Sequence, residues 1–228
     1  MREHTEALAP PRARWVPFIL GRPFGVPGDA AFQRGVLIVA LNLLARDAGP
    51  VLEDYPQEAP PDELKGAPEG MVCPVSFPTP RTEGTLAEKL ADEVSQLQAW
   101  HELAMHHRAG TTLGVTGMTP AEIVEYLSVW LNGGTPSWTC IGVTRGDTLK
   151  QACDELKAFY YEAKAMQPGH HTPQSITHWF WLESAGGQTL LQIRNIATTS
   201  KEPSVKILAT ASLIPRAVEL LLQGAATA

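Results

Sequence analysis

Cysteine is scarce in this chain: Cys73, Cys140 and Cys153 are the only three in 228 residues. They are odd in number, widely spaced and without a Cys-x-x-Cys pair. That argues against a disulfide framework or a zinc ribbon and predicts free thiols. A dense run of Lys and Arg is missing as well. The 18 basic residues are scattered among 24 acidic ones, for a net charge of −6 and a pI near 5.6. Nothing prepares a surface for phosphate backbones or anionic lipid, so neither nucleic acid nor membrane is an expected partner. Long apolar runs are lacking too. Gly35 to Leu44 is interrupted by Asn42 and reaches about half of the roughly 20 residues that span a bilayer. Met1-Arg2-Glu3-His4 lacks the basic-then-apolar order of a secretory signal, and the expected compartment is the cytoplasm. What the chain does have is 44% hydrophobic and only 18% charged residues, enough for one substantial core or a core plus a smaller unit.

Three regions follow from the local patterns. Arg14 to Leu20 reads as a short strand, with Pro17 tolerable at its end or at an edge. The Gly/Pro-dense turn Gly21 to Asp29 comes next, and Asp29 is placed to cap a helix over 30–45. Residues 1–55 are thus expected to form a short α/β segment of strand, turn and helix. Seven prolines between Pro56 and Pro80 remove backbone donors and fix φ, so 56–84 reads as a linker or wrapping arm. Residues 85–228 read as a helical bundle, which makes the fold class mainly α.

The bundle's helices carry start signals. Thr85-Leu86-Ala87-Glu88 and Thr119-Pro120-Ala121-Glu122 both fit the capping box, in which hydroxyl and carboxylate satisfy each other's orphan amides. Leu90, Val94, Leu97 and His101 share one stripe, as do Ile123, Leu127 and Trp130. Gly133-Gly134 stops the second helix. A third is expected over 148–166, with Leu149, Cys153, Leu156 and Phe159 inward. A fourth starts at Thr172-Pro173 and carries Ile176, Phe180, Glu183 and Leu190, with Gly186-Gly187 marking a kink or a close helix contact. The last apolar run, 205–222, is split by Pro215 into two short helices. Thr111 to Thr116 is β-prone and reads equally as strand or loop.

Candidate chemistry is sparse. His101 and His106 lie five apart, about 140° around a helix, and cannot easily share one metal as a zincin pair would. No metal site is assigned and no cofactor is called for. His101 and Glu183 each interrupt an apolar stripe, and a buried ionisable group needs a partner. Facing each other, they would form either a helix-pinning hydrogen bond or a proton-transfer pair. Cys73, in the proline-rich arm, is a candidate nucleophile, although no local basic group or helix start lowers its pKa. Cys153 reads as an inert core thiol. His170 and His171 stand at a helix start and read as loop histidines. Arg22, at the end of a strand and before a helix, stands where open α/β sheets bind ligands. It is the candidate for a substrate anion or carboxylate, the alternative being a surface ion pair.

The stretch His4 to Leu44, above all Pro11-Arg12-Ala13-Arg14-Trp15-Val16-Pro17-Phe18-Ile19-Leu20-Gly21-Arg22-Pro23-Phe24-Gly25 followed by Asp29 and Phe32-Gln33-Arg34, resembles the C-terminal end of the selenoprotein B family. These are the catalytic subunits of glycine, sarcosine, betaine and D-proline reductases. In that family a strand ending in a proline-rich turn leads into the final helix. The resemblance implies a subunit or portion of a reductase that cleaves a C–N bond of an amino acid or betaine. The family's redox selenocysteine or cysteine precedes this segment, so it is expected outside this chain. A partner protein subunit or self-association follows, and a small-molecule substrate is compatible with this. Two alternatives stand beside it: a metal-dependent helical bundle using His101, Glu183 and either His106 or His178, and a non-catalytic scaffold or assembly subunit.

Overall fold

The computed structural model describes residues 2–18, 23–25, 27–59, 83–108, 110–169, 171–211, 213–215, 218–219 and 222. With 63% helix against 4% strand it is mainly α, as the capping boxes implied. The chain divides into two compact units, Met1–Glu63 and Leu64–Ala228. Most of the proline-rich stretch, and much of the second short helix expected before Leu222, lie outside the described residues.

The first unit is a βαβ arrangement. After a short helix α1 (Arg2–Leu8), strand β1 (Arg12–Trp15) leads to helix α2 (Ala30–Leu41), a 3-10 turn (Asn42–Ala45) and strand β2 (Val51–Asp54). The strands are parallel, with Arg12 opposite Val51 and Trp15 opposite Asp54. Asp29 caps α2 as expected, accepting the Phe32 amide at 3.0 Å. Three features differ from the sequence reading. β1 begins earlier and ends two residues before Pro17, which has no N–H to offer a ladder. β2 and α1 were not anticipated, because both are shorter than the windows in which periodicity can be counted.

Charge rather than oil fills part of the space between this sheet and its helix. Arg12 Nε donates to the Leu43 carbonyl at 2.8 Å and its Nη2 to the Arg46 carbonyl at 2.6 Å, satisfying acceptors that the end of a helix leaves open. Arg14 pairs with Glu53 at 2.8 Å, and Glu53 also meets Arg46 at 2.5 Å. Phe18 and Phe32 each meet Tyr55 edge to face and each other at a tilt, with centroids 5.5 to 6.1 Å apart, and form the apolar side of the unit.

The second unit is a helical bundle of α3 (Leu86–Arg108), α4 (Pro120–Leu131), α5 (Arg145–Met166), α6 (Pro173–Glu183), α7 (Ala185–Thr199) and α8 (Pro203–Ala211). Both expected capping boxes are present, Thr85 with Glu88 and Thr119 with Glu122. A third, Thr144 with Asp147, starts α5 three residues before the expected Thr148. Helix α5 is central. It packs against α3, α4, α6, α7 and α8, and Leu149, Cys153, Phe159, Tyr160 and Ala163 are fully buried along it.

The expected fourth helix is two. Ser184 breaks it, donating its hydroxyl to the Phe180 carbonyl at 2.7 Å while accepting the Gly187 amide at 3.0 Å, and so caps α7. The glycines after it permit close approach. A Cβ on Gly187 would lie 2.0 Å from the Phe180 carbonyl oxygen, and one on Gly186 2.7 Å from the Tyr160 ring. The chain turns at Ser184, and the glycine pair is where α7 meets α5 and the end of α6 closely. Among the described residues, no helix is long and apolar enough to cross a membrane.

Candidate functional site

Of the four residues singled out for chemistry, Arg22 and Cys73 lie outside the described residues. The other two are not brought together. His101 is buried at 3% exposure on α3, whereas Glu183 is exposed at the last position of α6 and faces His178, 3.5 Å away. The partner of His101 is Glu162 of α5, with Nε2 3.1 Å from Oε2. Glu183 was assigned to the buried stripe by counting along a single helix. The break at Ser184 ends that count, and Glu183 at the terminus turns to solvent. His106 is exposed, so the trio proposed for a metal does not gather, and the described residues contain no cluster of three or more metal-ligating side chains.

The site around His101 belongs instead to two buried glutamates on α5. Glu155 and Glu162 are seven residues apart, so they point from nearly the same side of the helix. Opposite them runs the loop Thr111 to Thr116, between α3 and α4. The Thr112 amide donates to Glu162 at 2.9 Å, and the Gly114 and Thr116 amides donate to Glu155 at 3.0 and 2.5 Å. Every second amide thus turns toward α5, the alternation of a strand, while Val115 between them is 67% exposed. Of the two readings open for this segment it is a loop, bent at Thr112, Val115 and Thr116 with Gly114 at φ 108°, and its inward amides are received by carboxylates.

Glu162 is saturated. Besides His101 and the Thr112 amide it accepts the Thr111 hydroxyl at 2.7 Å and the Thr112 hydroxyl at 2.8 Å. Burial pushes its pKa up, but the hydrogen bonds from His101, the Thr112 amide and the two hydroxyls outweigh this and lower it from 4.5 to about 2. Among the described residues His101 Nδ1 is buried without a hydrogen-bond partner, and the ring lies against Phe159 with centroids 4.8 Å apart. For Nε2 to donate to the carboxylate, it must carry the ring hydrogen. The chemistry this arrangement supports is the fixing of a segment and of two helices, the first of the two readings open for His101.

A third carboxylate, half-buried, meets the start of α7. Glu93 of α3 accepts the Ala185 amide at 2.7 Å, the Gly186 amide at 3.3 Å and the Tyr160 hydroxyl at 2.8 Å. Here burial prevails and the carboxyl is held above its ordinary range, with those three hydrogen bonds opposing. The Tyr160 hydroxyl is pushed well above its usual value, chiefly by burial and then by the Glu93 charge. The anion site of this helix terminus is occupied from within the fold.

Burial pushes Cys153 up to about 12, in keeping with an inert core position, and the half-buried Cys140 lies 3.9 Å from the Thr116 carbonyl. A surface depression of about 200 Å³ in the first unit is lined by Arg2, Thr5, Glu6, Pro10, Pro50 and Val51. It lies where β2 begins, the opposite strand end from that at which open α/β sheets bind ligands.

Glu155, Glu162 and Glu93 escaped the sequence reading. The available signal was the seven-residue spacing of Glu155 and Glu162 along one helix. Comparison with models of known protein families, with curated proteins and with solved structures finds no match.

Proposed function

We propose that the chain is a subunit or portion of a selenoprotein-B-like reductase, acting in a cytoplasmic complex that cleaves a C–N bond of an amino acid or betaine. The redox cysteine or selenocysteine is supplied from outside this chain. The observation that supports this reading is the βαβ arrangement in the segment that carries the resemblance. Its strand, proline-containing turn and capped helix stand in the family's order, and a parallel strand follows. Parallel sheets work with both faces covered and more than two strands, so this unit has the form of part of a larger α/β domain. In such a domain Arg22 would bind the substrate carboxylate at the strand end, and the helical bundle would present the subunit to its partners.

The test is to isolate the tagged chain anaerobically from its native cell and assay the recovered complex with a dithiol for cleavage of glycine, sarcosine, betaine and D-proline. Turnover of one of the four, abolished by iodoacetate, is the expected result. A stable complex inert toward all four would sink the reading. Stoichiometric zinc, iron or manganese in the purified chain would favour the metal-dependent alternative.

A second reading, a non-catalytic assembly subunit, is favoured by the site around His101. Its Glu162 carboxylate is engaged by His101, Thr111 and Thr112, and what it holds in place is structure. If Arg22→Ala, Cys73→Ser, His101→Gln and Glu183→Gln each left the complex's turnover unchanged, this second reading would stand in place of the first.

A further inference from the structure

The chain has three asparagines, Asn42, Asn132 and Asn195, and each is exposed. Only Asn132 is followed by glycine. The nucleophile within reach of an asparagine carboxamide is the backbone nitrogen of the next residue, which a side chain on that residue shields and a glycine leaves open. Asn42 and Asn195 stand before Leu43 and Ile196, inside helical turns. Asn132 instead caps the end of α4, with Gly133 at φ +76°. The Gly133 amide donates to the Trp130 carbonyl at 3.0 Å and the Gly134 amide to the Val129 carbonyl at 2.9 Å, the two bonds of a Schellman stop. A residue with a Cβ is strained at that φ, so the stop requires its glycine. It does not require the asparagine before it.

We propose that Asn132-Gly133 is a site of spontaneous deamidation, at which the chain converts a neutral helix stop into a carboxylate as it ages. The Gly133 nitrogen attacks Cγ of Asn132. The new N–Cγ bond forms, the Cγ–Nδ2 bond breaks, and Nδ2 leaves as ammonia with the proton that Gly133 gives up. Water then opens the cyclic imide at either carbonyl, giving aspartate or its β-linked isomer, and nothing is oxidised or reduced. The fold gates the first step, because the Gly133 N–H must leave the Trp130 carbonyl, and the last turn of a helix opens more readily than its middle. Either product places a negative charge at the negative end of the α4 dipole. It is also the first charge in a run that is uncharged from Tyr126 to Thr144, so no cation of that run offsets it. The β-linked product further lengthens the backbone between the two Schellman bonds and α4. That loosens the chain leading to Trp138, whose ring meets Tyr126 edge to face at 6.1 Å.

The experiment incubates the purified full chain at mildly alkaline pH, folded and in urea, and follows the peptides that carry Asn42, Asn132 and Asn195 by mass spectrometry. Conversion of amide to acid is expected at Asn132 in the folded chain and not at the other two. The rate at Asn132 should rise about tenfold or more in urea, where the helix stop no longer gates it. A folded chain whose Asn132 stays an amide while the urea sample converts, or one that converts equally fast at Asn42 or Asn195, overturns the proposal. Asn132→Asp supplies the new charge with the ordinary backbone, and this variant should melt about 1–4 °C below wild type. Melting at or above the wild-type temperature would overturn the claim that the charge loosens α4.

Discussion

Replacing Glu162 by Gln removes the charge on which the Thr111 to Thr116 segment is hung. Holding the carboxyl at about 2 instead of 4.5 corresponds to about 3 kcal/mol of stability at neutral pH. The amide substitute keeps one acceptor oxygen but turns an NH₂ group toward donors from His101, Thr111 or Thr112, leaving at least one of them unmatched. A loss of about 3 kcal/mol is therefore expected at pH 7, a fall in melting temperature of about 6–12 °C for a unit of this size. The sign with pH is specific. The folded-state pKa is depressed, so the contribution is fully present above about 4.5 and disappears as pH falls through about 2. Urea unfolding of wild type and Glu162→Gln, followed by circular dichroism from pH 7 to pH 2, should show two curves that are far apart at neutral pH and converge in acid. A gap that stays constant with pH, or no gap at pH 7, would refute the assignment of Glu162 as an ionised, hydrogen-bonded anchor.

Glu93→Gln should behave oppositely. Burial raises the Glu93 carboxyl, so its contribution is greater in acid and shrinks as pH rises through the folded value; the variant is expected to cost about 1 kcal/mol or less at pH 7 in the same urea titration. Gly187→Ala gains up to about 1 kcal/mol of helix propensity but drives a Cβ to 2.0 Å from the Phe180 carbonyl, a backbone clash that overrides the gain. A net loss of about 2 kcal/mol or more by thermal unfolding is expected, and a stabilised variant would contradict the close packing of α7. Cys140 should alkylate in the native protein while Cys153, buried with its pKa near 12, reacts only after unfolding, as peptide mapping after iodoacetamide would read. Residues 83–228 expressed alone should unfold cooperatively, whereas 1–59, with two strands and a small core, should not, since a unit of that size rarely exceeds about 3–5 kcal/mol unaided.

How far the fold could be read depended on which physical signal each element carries. The bundle helices announce themselves twice, by caps and by apolar period. Thr85, Thr119 and Thr172 start helices where their patterns said, and Leu90, Leu127, Leu149, Phe159 and Phe180 point inward as counted. The N-terminal unit announces itself only once, at Asp29. Strand β2 has four residues and burial that does not alternate, so its place beside β1 is decided by a contact some forty residues away that no local pattern contains. The break at Ser184 is a close case. Serine three residues before Gly187 is a cap signal, but the Gly186-Gly187 pair drew attention to the wrong bond in the chain.

The site was half legible for a related reason. That His101 interrupts a buried stripe is a fact about one helix, and sequence period is sufficient to find it. Which acid it meets is a fact about two helices, and depends on their relative rotation and height, which period does not encode. Glu183 was attractive because it too seemed to break a stripe, yet a helix terminus frees its last residue from the periodic face. By period alone Glu162 cannot be told from an acid on a solvated flank of α5. What marks it in retrospect is the combination with Glu155 seven residues earlier and a Thr-rich, β-prone segment lying just before the Thr119 cap. Two acids on one face can each absorb several donors, and Thr112, Gly114 and Thr116 offer an amide at every second residue. The bends at Thr112, Val115 and Thr116 and the positive φ of Gly114 set which amide meets which acid, and no helix period or strand alternation encodes them.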